Sequence, residues 1–226
     1  MVMKMKKEHE PEHPLVISYL TLRKVIGFLG VMLPCAVSLG AWAVFRTGLQ
    51  SSISSYYYTG TRDVFVGALW AIGFFLLSYR GYEPIDAITG NLGSAFALGV
   101  ALFPTAPDLN PSPSAVIIGY LHQACAGLFF FTLIFFSLFL FTKTNPHGRP
   151  TRRKLQRNVI YRVCGIAMAI CILLMTIYTF LPEPAAAPLK PFKPIFWLET
   201  IAIVSFGISW LTKGEAILAD EIKEDG

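Results

Sequence analysis

Six long apolar runs constrain this chain more than anything else in it. They are Val25–Phe45, Asp63–Tyr79, Ala87–Pro104, Ala115–Thr142, Val159–Leu181 and Ile195–Thr212, and together they take up more than half of the 226 residues. A helix needs about 20 apolar residues, with a range of roughly 17–25, to cross the hydrocarbon of a bilayer. The fourth run is long enough to tilt or to extend beyond the lipid. Charged residues are only 15% of the chain, against about 25% in soluble domains, and the mean hydropathy is +0.55. This composition excludes a disordered chain, a coiled coil and a nucleic-acid-binding module, and it argues against a cytosolic enzyme. The expected fold is all-α: a polytopic membrane protein with a six-transmembrane-helix bundle. Its parts are a cytoplasmic segment over residues 1–24, the bundle over 25–212 and a cytoplasmic acidic tail over 213–226.

The basic residues set the expected orientation. Of nineteen Lys and Arg, four (Arg46, Arg62, Lys190 and Lys193) flank the odd-to-even connections, and Arg162 begins the fifth run. The remaining fourteen flank the other side. An excess of Lys and Arg marks the cytoplasmic side, so both termini are expected there, as an even number of spans requires. The expected location is the cytoplasmic (inner) membrane. Ala41-Trp42-Ala43 has the shape of a signal-cleavage site, but the run before it is longer than a signal core of about 7–15 residues, and a retained first span is expected. The +5 net charge is read as topology. The six cations of Lys143–Arg157 also form a surface for anionic lipid headgroups, each contributing about 1 kcal/mol.

Several local patterns add detail. Gly93, Ala97 and Ala101 put one small stripe on the third span, which places it inside the bundle, because small residues let helices approach closely in lipid. Pro34 interrupts the first run. Trp197 and Trp210 are expected to mark two membrane interfaces, and the phenylalanines of the fourth span to face lipid broadly. Pro182 to Pro194 is expected to be extended. The four cysteines sit in apolar runs without a CxxC motif and read as small hydrophobes.

Three titratable residues fall into one expected layer near the outer face. Asp63 opens span two beside Arg62. His122 lies seven residues into span four, and Glu199 four residues into span six. A charge in hydrocarbon costs about 2.5–3.5 kcal/mol on insertion scales, so intramembrane ionisable residues are functional candidates. The expected partners of Glu199 are His122 and Arg62. With Ser54, from the serine-rich connection, these form the candidate ligand-binding set Asp63, His122, Glu199, Arg62 and Ser54. Three readings stay open: helix-fastening pairs, a lipid-headgroup or small-ligand pocket, and a catalytic or ion-conducting site. A hydrolase would use Ser54 with His122 and a carboxylate. A proton path would need polar groups deeper down, and only Ser205, Ser209, Thr176 and Thr179 offer themselves. The histidine spacing supplies no metal motif, and no cofactor is expected. The expected partners are membrane lipids and another copy of the chain, not nucleic acid.

The Ser-rich loop closing on Tyr57-Tyr58-Thr59-Gly60-Thr61-Arg62-Asp63, with His122 and Glu199 early in their spans, resembles the Frag/DRAM/Sfk group of six-span proteins. It is also similar to bacterial six-span families of unknown function. The resemblance implies a six-helix bundle without an established activity. A more distant similarity is to membrane hydrolases of the alkaline ceramidase and progestin-receptor kind, which combine Ser, Asp and several histidines at a zinc site. This chain departs from them in having six spans and one membrane histidine.

Overall fold

The computed structural model describes residues 18–81, 83–144 and 151–219. The described residues form helices joined by short connections, with no strand among them, in the order α1 (Tyr19–Phe45), a 3-10 turn (Ser54–Tyr58), α2 (Arg62–Leu77), α3 (Pro84–Leu102), α4 (Pro113–Phe135), α5 (Arg152–Thr179), α6 (Glu183–Ala186), a second 3-10 segment (Ala187–Phe192) and α7 (Pro194–Lys213). Local chemistry starts these helices. The side chains of Ser18, Ser112 and Thr151 accept backbone N–H bonds at the N-caps of α1, α4 and α5, satisfying donors that a helix start leaves open. Pro84, Pro113 and Pro194 occupy first-turn positions, where a missing N–H costs nothing.

Each long helix packs on its neighbour in the chain, and α7 closes the series between α5 and α1. The six long helices therefore form a ring. Five of them (α1, α3, α4 with its extension, α5 and α7) are long and apolar enough to cross a membrane. Helix α2, with 16 residues, spans about 24 Å at 1.5 Å per residue. Thr61 at its start donates to Val37 O of α1 at 3.1 Å, and Gly90 near the start of α3 sits over Leu76 O near its end. Helix α2 thus runs the length of the bundle beside both neighbours.

Glycines bring the backbones together. A Cβ added to Gly207 would lie 2.6 Å from Val31 N and 2.7 Å from Gly27 O, and one added to Gly27 would lie 2.6 Å from Leu211 N. The α1–α7 seam is therefore backbone against backbone. The small stripe of α3 is buried as expected, with Gly93 against Thr132 of α4. Large apolar side chains such as Phe28, Trp42, Phe74, Phe131 and Leu173 cover the outside, a surface that soluble monomers do not present.

The basic end of the bundle corrects two expectations. Trp210 is 0% exposed, so it is no interface marker. Its ring centroid lies 5.4 Å from Tyr79, 5.4 Å from Phe136 and 5.2 Å from Phe141. Phe129, Phe130, Phe136 and Phe141 are buried, whereas Phe131 and Phe139 face outward. At Phe136 and Phe141 the cause is a π-helical turn over Phe136–Leu140, closed by Phe141 N donating to Phe136 O at 2.8 Å. It rotates the last phenylalanines of α4 inward. Helix α1 runs through Pro34 unbroken, and Ser38 Oγ donates to Pro34 O at 2.6 Å. The Pro182–Pro194 stretch folds into α6 and the second 3-10 segment, because Pro184 and Pro188 sit in first-turn positions that a helix tolerates.

Candidate functional site

The opposite end is closed by the serine-rich connection between α1 and α2. It folds inward: Ile53 and Tyr56 are buried completely. Internal hydroxyl bonds shape it, Ser51 Oγ with Ser55 Oγ at 3.0 Å and Ser52 Oγ with Ser55 Oγ at 2.7 Å. Three bonds tie it to its surroundings. Ser51 Oγ donates to Asp108 Oδ2 at 2.9 Å, Tyr58 OH donates to Thr105 O at 2.6 Å, and Phe196 N donates to Ser51 O at 3.1 Å. Lys193, at φ 51° in the left-handed region, turns the chain into α7 and donates its ammonium to Leu49 O.

Glu199 holds the centre of this loop. Its Oε2 accepts Ile53 N–H at 2.5 Å and Ser54 N–H at 3.4 Å, and Ser54 Oγ approaches Oε1 at 3.5 Å. These partners correct the expected ones. Helix α7 sends the carboxylate to the buried amides that start the 3-10 turn, where an anion satisfies donors left open by the backbone. Arg62 stays outside, with its guanidinium 5.9 Å from the Tyr57 ring and 3.4 Å from Asp63. Asp63 is a first-turn residue of α2 whose side chain is 91% exposed.

His122 is buried on α4. Its Nδ1 lies 2.6 Å from Phe103 O. A carbonyl only accepts, so Nδ1 carries the proton and donates, which leaves Nε2 as the acceptor of the neutral ring. No carboxylate of the described residues lies within ion-pair distance of it.

Between these elements lies a cavity of about 320 Å³. Its polar lining includes Ser54, Thr105, His122, Gln123, Thr176 and Glu199, and its apolar lining Phe130, Ile172, Met175, Phe180 and Ile195. The structure thus brings His122, Glu199 and Ser54 to one space and leaves Arg62 and Asp63 outside its lining. Four further polar groups, Thr105, Gln123, Thr176 and Thr179, join them. Gln123 sits next to His122 in an otherwise apolar run, a signal the sequence carries. Thr176 and Thr179, counted for a path toward the far side, lie at this end instead. Thr105 belongs to a connection that no pattern distinguishes. Among the described residues no three His, Cys, Asp or Glu side chains gather as a metal site.

Tyr58 gives the first testable consequence. Burial pushes its phenol above the ordinary value of 10.0, so the hydroxyl stays a donor to Thr105 O. A raised folded value means the contact is intact below pH 10 and is lost as the pH rises past it. Tyr58→Phe is expected to cost about 0.5–1.5 kcal/mol, the net worth of one such bond. Thermal unfolding of both proteins checks it, with the wild-type advantage shrinking above pH 10.

No family model, curated protein or solved structure matches the chain, so the reading of this cavity rests on its own geometry.

Proposed function

We propose that the chain is an integral membrane protein of the cytoplasmic membrane, with six spans and both termini cytoplasmic, whose outward-facing cavity binds the polar head of a lipid or a small amphiphilic ligand without chemical turnover. Five helices of spanning length and hydropathy, the sixth rod α2 beside them and the apolar outer surface support the membrane setting. The Lys and Arg asymmetry supports the orientation. The layout shared with Frag/DRAM/Sfk-like proteins supports a bundle of this kind.

One observation carries the ligand reading: the cavity is amphiphilic. Its lining combines polar groups (Ser54, His122, Gln123 and Glu199) with apolar ones (Phe130, Ile172, Met175 and Phe180), and its volume lies at the lower end of the range of roughly 300–1,000 Å³ for ligand sites. Catalysis has less support. A hydrolase would need a base bonded to the serine hydroxyl, yet Ser54 Oγ approaches the Glu199 carboxylate only at 3.5 Å, and His122 is bonded to Phe103 O and not to a serine hydroxyl among the described residues. A proton path has less support too, since Ser137 and Ser209, the buried polar pair further down, bond each other at 2.8 Å.

Filling the cavity tests the proposal. Thr176 is exposed at its edge, so Thr176→Trp is expected to fold normally and occlude the space. Native mass spectrometry of the protein released from its membrane should show a retained amphiphile in the wild type and none in the variant. Identical spectra would contradict the proposal.

A further inference from the structure

The chemistry of the wall narrows the ligand. We infer that this cavity, read as a ligand site as above, takes a long-chain amphiphile whose head is a protonated amine, admitted sideways between α4 and α5.

The charge balance is the first argument. Among the described residues, Glu199 is the one carboxyl group in the lining, and no Lys or Arg lines the space. Three basic residues of this end are held elsewhere, Lys190 by Glu183 at 2.6 Å, Lys193 by Leu49 O, and Arg62 by Asp63 and the Tyr57 ring, and Arg46, at the end of α1, is not in the lining. A phosphate or carboxylate head would meet an anion with no cation to offset it, in surroundings where screening is weak. An ammonium would meet a counter-ion.

The second argument is the direction of the hydrogen bonds. The Oε2 atom of Glu199 is occupied by two backbone amides, whereas Oε1 has only the 3.5 Å approach of Ser54 Oγ. A carboxylate has about four lone-pair sites, so Oε1 has acceptor capacity left. An ammonium carries three donors and no acceptor, the complement of that oxygen.

The third argument is access. Helices α4 and α5 touch near the basic end, where a Cβ added to Gly165 would lie 2.5 Å from Leu138. Eleven residues earlier on α4, about 16 Å along the axis, a Cβ added to Gly127 would meet nothing within 4 Å. The two helices therefore part toward the serine-loop end, and the cavity lies in the gap. Phe180, 82% exposed, and Met175 edge it with apolar surface. A space of about 320 Å³ holds about ten water-sized groups, enough for a head and the first carbons of a chain whose remainder lies in lipid.

The test uses the full-length protein in phosphatidylcholine nanodiscs, with empty discs as the partition control. Dodecylamine, dodecanol, dodecanoate and dodecyl phosphate are titrated, and binding is read from thermal stabilisation and native mass spectrometry. Dodecylamine is expected to bind at least about tenfold more tightly than dodecanol, and the two anions to bind weakest. Glu199→Gln should erase the amine preference, so that dodecylamine and dodecanol bind this variant equally, and Glu199→Asp should retain part of the preference. Thr176→Trp should abolish binding of every probe. An anionic probe binding as well as the amine would overturn the amine assignment and leave the pocket reading standing. Amine preference that survives Thr176→Trp would place binding elsewhere and overturn the assignment. Failure of all four probes would overturn the pocket reading itself.

Discussion

Gly207→Val is expected to leave little folded protein. The wild-type backbones of α1 and α7 are already in contact at this point, and the first added carbon would fall 2.6 Å from Val31 N and 2.7 Å from Gly27 O. Neither atom is the end of a flexible side chain, so only movement of a whole helix relieves the clash. Overpacking usually costs about 1–3 kcal/mol and sometimes more; a backbone clash in a close-packed seam belongs at or above the top of that range. Because α7 also closes the ring against α5, the displacement is not confined to one pair. Size-exclusion profiles and thermal unfolding in detergent should show aggregate and a strongly lowered midpoint. Gly67→Ala is the control. Nothing lies within 4 Å of its added carbon, so it should be neutral or gain up to about 0.5–1 kcal/mol from helix propensity. Equal behaviour of the two variants would contradict the packing described here.

Replacing Glu199 by leucine is expected to release the serine-rich loop. The Ile53 and Ser54 amides lose their acceptor, and a buried donor left unsatisfied costs about 1–3 kcal/mol. The apolar anchors Ile53 and Tyr56 remain, so the bundle should fold while the loop opens more often. Hydrogen exchange reads this directly, with amides over residues 52–58 expected to exchange faster and those of α3 unchanged. Glu199→Gln keeps one acceptor oxygen and should show a smaller rise. Unchanged exchange in the leucine variant would mean that Glu199 does not hold the loop.

Much of this architecture is legible in hydropathy alone. Long apolar runs report helices, and the Gly93, Ala97 and Ala101 stripe reports a buried face, because both are properties of one segment. The helix ends are less legible. Helix α5 begins at Arg152, two turns before its apolar run, since a Thr151 cap and polar residues extend a helix beyond the apolar stretch. The role of Trp210 depends on a π-helical turn in a different helix, which no local pattern announces. The partners of Glu199 are hidden for a similar reason: they are backbone amides of a loop 146 residues away, and sequence patterns display side chains only. The joint placement of His122 and Glu199 was legible because depth along a helix follows from residue counting. That Asp63 faces outward depends on the rotation of α2, which counting does not give.

Cysteine labelling tests the central claim, an amphiphilic cavity open at the outer end of a membrane-spanning ring, most directly. With the four native cysteines replaced, a single cysteine at Thr179 is exposed to a membrane-impermeant maleimide in intact cells. Labelling from outside is expected, with protection by dodecylamine. Labelling only after the membrane is permeabilised, or labelling that no amphiphile slows, would contradict the account.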